Sequence, residues 1–140
     1  MCLSVVLLLS AVSSFSAYAE EKMTESRILP CPDTPNCVSS KPTSTAQHID
    51  PLRYEGDKDE AWLRLIKIVK GMKRAEVVED SGAYIHATFK SWLFRFVDDV
   101  EFQIDDDAKI IHMKSSSRVG YSDFGVNRRR CETIRAKFDR

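Results

Sequence analysis

Between Phe94 and Arg118, apolar and polar residues alternate on both sides of an acidic turn, Asp105-Asp106-Asp107-Ala108. Successive side chains of a strand point to opposite faces, so this period of two specifies an antiparallel hairpin with one face toward a core. A turn over those four residues sets Phe102 opposite Ile111 and Val100 opposite Met113 on the core side. The other side then carries Glu101 opposite His112 and Asp99 opposite Lys114, a face left to water, as antiparallel sheets commonly allow. Continued along the strands, the same register brings Asp98 opposite Ser115 on the core side, with Ser117 next along. The apolar lining of the sheet therefore turns polar at one end.

The rest of the chain can be built onto this hairpin. Ala75–Asp80 and Ala83–Lys90 alternate in the same way around Ser81-Gly82 and form a second hairpin. Ahead of it, Trp62, Leu65, Ile66 and Val69 recur at helical spacing, so Trp62 reads as core rather than as a binding platform. Asp57 is placed to cap that helix with Glu60 three positions on, and Lys67, Lys70 and Lys73 suit its C-terminal end. A short extended piece spans His48 to Tyr54. Val126 to Phe138 is a second helix with Asn127, Cys131, Ile134 and Phe138 along its inner side, which makes Cys131 a small buried residue rather than a nucleophile. The expected fold is α+β in two layers. A mostly antiparallel sheet of four to five strands carries two helices on one face, in the order β-α-β-β-β-β-α.

At 140 residues the chain has room for one domain. Residues 1–19 hold an apolar run from Leu3 to Val12 and end on Ala17-Tyr18-Ala19, a signal-peptide pattern without the usual basic start. The run is too short, and too rich in serine toward its end, for a membrane span. Residues 20–47 lack periodicity and read as an irregular N-terminal arm, and 48–140 as a single α+β domain. The expectation is an exported protein, periplasmic or secreted, with no stable membrane insertion once the leader is cleaved after Ala19. In such an oxidising compartment Cys31 and Cys37, bracketing CPDTPNC, favour a local disulfide. Their spacing fits neither a zinc half-site nor a thioredoxin-type pair. So small a ring adds at most roughly 2 kcal/mol.

Lys plus Arg and Asp plus Glu number 21 each, which speaks against a nucleic-acid partner. Charge matters more locally. Arg128-Arg129-Arg130 begins a helix, where cations oppose the dipole at a cost of a few tenths to about 1 kcal/mol each when exposed. Something negative should lie nearby. Asp98, Asp99, Glu101 and Asp123 can supply it from within by pairing with Arg95, Arg118 and Arg128. A bound anionic or polar ligand can supply it from outside, with Ser115, Ser116, Ser117 and Tyr121 as hydroxyl donors. The internal network weighs more. The candidate ligand site is Asp98, Ser115, Ser117, Arg118, Tyr121, Asp123, Asn127 and Arg128.

Enzymatic readings find less support. His86, Glu101 and His112 share the wet face, but with Glu101 on a strand between them the histidine backbones stand roughly 10 Å apart, too far to share a metal easily. No G-x-S-x-G elbow is present. The acidic triplet lacks EF-hand spacing and reads as a solvated turn. No catalytic residue, metal ligand or cofactor is assigned.

Three blocks, CPDTPNCVSS (31–40), SWLFRFVDDVEF (91–102) and SSSRVGYSDFGVNRRRCETIR (115–135), resemble the uncharacterised family catalogued as domain of unknown function 1499. The resemblance runs from about Leu29 to the C-terminus, with Cys131 standing where an aliphatic residue is expected. It implies exported or membrane-associated bacterial proteins, with relatives in plastids, and no established activity, cofactor or catalytic residue. The leading expectation is an exported binding or accessory module that holds a small polar or anionic ligand, or a partner protein, near Asp98, Ser115, Ser117, Arg118 and Asn127. One alternative is a hydrolase or metal-dependent enzyme built on the same polar cluster. The other is a structural interaction protein, which an exposed apolar patch at Trp92, Leu93 and Phe94 would favour.

Overall fold

The computed structural model describes residues 26–140, so the expected leader and its cleavage point lie outside the described residues. Two short strands, β1 (Cys37–Ser39) and β2 (Leu52–Arg53), precede helix α1 (Lys58–Lys70). Four longer strands follow, β3 (Ala75–Asp80), β4 (Tyr84–Lys90), β5 (Val97–Asp105) and β6 (Ile110–Ser117), and helix α2 (Val126–Phe138) ends the fold. The six-stranded sheet runs β1-β6-β5-β4-β3, and β2 also pairs with β6. Every strand pair is antiparallel.

The α+β architecture and its element order are those expected from the sequence, with β1 added. This strand lies inside the stretch read as an irregular arm. All three of its residues are buried against Lys114–Ser116. So short a strand, buried on both faces, shows no alternation to read. Its neighbour Cys31 is held close, with the Sγ atoms of Cys31 and Cys37 at the disulfide distance of 2.11 Å.

Two local expectations are corrected. The central hairpin pairs Phe102 with Met113, Val100 with Ser115, Glu101 with Lys114 and Asp98 with Ser117, two residues away from the predicted register. Strand β5 continues through Asp105, and the turn falls on residues 106–109. Lys109 closes it at φ 55°, with its Nζ 2.7 Å from Asp106 Oδ1. An even slip keeps every side chain on its face, which is why the division into faces survives the error. Strand β5 also begins at Val97 rather than Phe94. The Ser91 amide donates to the Phe96 carbonyl at 2.8 Å, the Phe96 amide donates to Ser91 Oγ, and Arg95 takes a left-handed φ of 55°. These bonds fold Ser91–Phe96 into a loop.

Both helices pack on one face. Trp62, Leu65 and Val69 of α1 and Cys131, Ile134 and Phe138 of α2 join Ile85, Phe102 and Met113 in one buried cluster. Asp57 caps α1, its Oδ1 accepting from the Asp59 and Glu60 amides. The opposite face is not simply wet. Arg27 lies over the Tyr84 ring at 3.9 Å, Ser40 Oγ meets His112 Nδ1 at 3.2 Å, and the Lys114–Glu101 ion pair is largely enclosed. The arm that covers this face is aperiodic, so nothing in the alternation of β5 and β6 announces it.

Candidate functional site

The residue before helix α2, Gly125, sits at φ 77° and as glycine has no side chain to cap the first turn. Asp123 does that work from outside the helix. Its carboxylate accepts from the Gly125 amide at 2.9 Å and from the Asn127 amide at 2.8 Å. This is the negative group that the arginine-rich helix start requires, and it comes from within the chain.

One turn further in, Asn127 is fully buried and uses both ends of its amide. Oδ1 accepts from Ser115 Oγ and from Arg130 Nη1, and Nδ2 donates to Asp123 Oδ2, Ser117 Oγ and the Asn36 carbonyl. Arg130 extends the cluster. Its Nη2 donates to Asp98 Oδ2 at 2.6 Å, its Nη1 to Ser115 Oγ at 3.0 Å, and its guanidinium stacks over Phe89 at 4.7 Å. Only 11% of the Arg130 side chain and 10% of that of Asp98 reach solvent, so the pair is desolvated. Asn36 closes the far side by donating to the Gly120 carbonyl at 2.6 Å. Among the described residues no buried side-chain nitrogen or oxygen lacks a partner.

The structure thus brings Asp98, Ser115, Ser117, Asp123 and Asn127 together and places the other candidates elsewhere. Arg118 sits on the opposite face of the sheet, donating twice to Asp99, which also meets His86 Nε2 at 2.7 Å. Arg128 ties down the N-terminal arm through the Ala46 and His48 carbonyls. Tyr121 is exposed and borders a cavity of about 200 Å³ beside Asp33, Thr34 and Gln47. Sequence reasoning missed Arg130 and Asn36. The first could have been found, because Arg130 follows Asn127 by three positions and so shares its helix face. Asn36 had no periodic context.

Chemically the cluster is closed, since its donors and acceptors are taken up by one another. Among the described residues no group of three His, Cys, Asp or Glu side chains is placed to hold a metal ion. His86 and His112 have separate partners in Asp99 and Ser40. Burial pushes the Cys131 thiol up to about 12, away from nucleophilic use.

Two carboxyls at this end of the sheet carry a pH signature. The Arg118 guanidinium, chiefly, and then His86 hold Asp99 below its usual range against partial desolvation. Burial pushes Asp123 up, but the amides of Asn127 and Gly125 outweigh it and leave its pKa depressed. A depressed folded-state pKa contributes stability above the ordinary carboxyl value near ~4, lost as pH falls through the folded-state value. These two carboxyls should therefore lower the thermal midpoint as pH falls below about 4, after an earlier decline below about pH 6.5 from His112, whose imidazole is held below its ordinary value by burial. Replacing Asp123 with Asn should make the acid limb shallower.

A different kind of surface lies at this end of the sheet. Val97 pairs with Lys90 and Asp98 with Ser117, so the β4–β5 loop (91–96) and the β6–α2 connection (118–125) emerge side by side. Trp92 is 77% exposed, Phe94 69% and Phe124 88%, with Leu93, Phe96 and Tyr121 also in water. Phe94 and Phe96 stack on each other at 5.6 Å. Beside them Arg74, Lys90, Trp92 and Arg95 border a cavity of about 430 Å³.

Residues 27–138 match the family described as Protein of unknown function (DUF1499), and the chain belongs to that family. No curated protein and no solved structure matches the chain.

Proposed function

We propose that this member of the family is an exported accessory module that works by docking rather than by catalysis, and that it docks through the end of the sheet formed by the 91–96 and 118–125 loops. One contrast carries the reading. The polar side chains there are consumed in the Asp98–Arg130–Asn127 cluster, while seven large apolar side chains on the adjoining loops, Val119 among them, stand in water. Large apolar side chains left in water together on adjoining loops mark an interaction site. A small ligand entering the cluster would have to separate Arg130 from Asp98, so the cluster is assigned a structural role. It latches α2 and the β6–α2 loop to the sheet and holds Phe124 outward.

The Cys31–Cys37 pair at disulfide distance and the leader-like first 19 residues support export. No helix among the described residues is long and apolar enough to cross a membrane.

The test is site-specific photo-crosslinking in cells that produce the protein. A benzophenone side chain at position 92 or 124 should form adducts under light, and one at position 107, in the turn at the opposite end of the sheet, should not. Adducts of equal yield from all three positions, or from none, would remove the docking reading.

A further inference from the structure

Resting on that docking reading, we infer that the surface met by this end of the molecule is a lipid bilayer bearing anionic headgroups. The chain has no net charge, yet its charges are partly segregated along the sheet axis. Helix α1 carries Asp59 and Glu60 in its first turn and Lys67 and Lys70 in its last. Its last turn lies at the docking end, because the chain passes directly into β3, whose Ala75 pairs with Phe89. Helix α2 starts at the same end with Arg128, Arg129 and Arg130. The acidic turn Asp105–Asp107 closes the opposite end. The segregation is partial: Arg53, Lys58, Arg64, Lys109, Arg135 and Lys137 stand toward the acidic end, and Glu76, Asp98, Asp99 and Asp123 toward the basic one, where Asp98 neutralises Arg130 and Asp99 neutralises Arg118. An anionic surface would orient this dipole with the exposed aromatics facing it.

Local detail agrees with the long-range field. The cavity beside Trp92 is bordered by the cations Arg74, Lys90 and Arg95 against a single carboxylate, Glu76. Neither Lys90 nor Arg95 has a carboxylate partner among the described residues. A phosphate headgroup suits that excess of charge and those donors. Trp92, which lines it, and Phe94 and Phe124 on the same two loops are side-chain types that settle at the boundary between headgroups and acyl chains. Stable but reversible membrane attachment takes two weak signals, apolar insertion and basic attraction, and both occur here on adjoining loops. A second copy docked symmetrically through the same end would set one basic rim against another, which disfavours a dimer as the occupant.

The experiment uses protein recovered from the exported fraction, sedimented with vesicles of phosphatidylglycerol and phosphatidylcholine or of phosphatidylcholine alone. Tryptophan emission is followed in parallel. Trp62 is buried, so a blue shift on binding reports Trp92. Binding should be at least about ten-fold tighter to the anionic vesicles and should weaken steeply toward 1 M salt, an ionic strength of about 3 Å screening length. Trp92→Ser with Phe94→Ser should lower it at least about ten-fold with an unchanged melting temperature, since both side chains are exposed. Equal binding to neutral vesicles, no binding, or unaffected binding by the loop variant would each overturn the lipid assignment. The two levels separate cleanly. If vesicles fail while position 92 still crosslinks in cells to a protein or to a second copy, docking stands and the lipid does not. If crosslinking fails as well, both fall.

Discussion

Arg130→Ala should cost roughly 3–5 kcal/mol of folding stability, the usual penalty for removing one partner of a buried ion pair. The Arg130 guanidinium links Asp98 on β5, Ser115 on β6 and Asn127 on α2, and it covers Phe89 on β4. Without it, Asp98 is left as a carboxylate with little access to water. A urea titration reads the loss directly as a lower midpoint at constant slope. Replacing both partners with apolar residues, Asp98→Leu with Arg130→Met, should restore most of it, because no orphaned charge remains. A loss below about 1 kcal/mol for Arg130→Ala would mean the pair behaves as a surface salt bridge, and the structural assignment of the cluster would fail.

Asn127→Asp should be nearly as damaging, by about 3 kcal/mol, although it changes a single nitrogen. The acceptor side survives, so Ser115 and Arg130 keep their bonds. The donor side is lost, and a second carboxylate faces Asp123 across the 2.8 Å now spanned by an N–H···O bond. Two carboxylates that close cannot both ionise freely, and one must hold a proton. The deficit relative to the parent protein should therefore shrink as pH falls from about 7 toward 5. A deficit independent of pH in that interval would show that the two carboxylates do not face each other.

Much of the fold is legible in the sequence because the period of two in β3 to β6 and the inner stripes of α1 and α2 are direct consequences of burial. Asp57 capping α1 and Cys131 in the core follow from the same reading. What escaped is equally physical. In β1 there are only three residues, all buried, so burial leaves no pattern. Phe94–Phe96 looks like the start of a strand because Phe favours strands, and only the left-handed Arg95 and the Ser91–Phe96 hydrogen bonds show that the chain turns there. The polar end of the sheet was anticipated from Asp98, Ser115 and Asn127. Which of three consecutive arginines enters it follows from helix rotation, since Arg130 shares the face of Asn127, and Arg118 falls on the other face by the same alternation that puts Ser115 and Ser117 on the core side. The apolar patch could be named from Trp92, Leu93 and Phe94. That Phe124 joins it depends on a loop whose path is set by Asp123 and Gly125.

The central claim is that the polar cluster holds the fold while the neighbouring loops meet the partner. Hydrogen–deuterium exchange on the purified protein, alone and with phosphatidylglycerol-containing vesicles, tests both halves at once. The account predicts slowed exchange confined to residues 91–96 and 118–125, with the amides of β5, β6 and α2 around Asp98, Ser115 and Asn127 unchanged. Slowed exchange at those cluster residues with the two loops unaffected would contradict it.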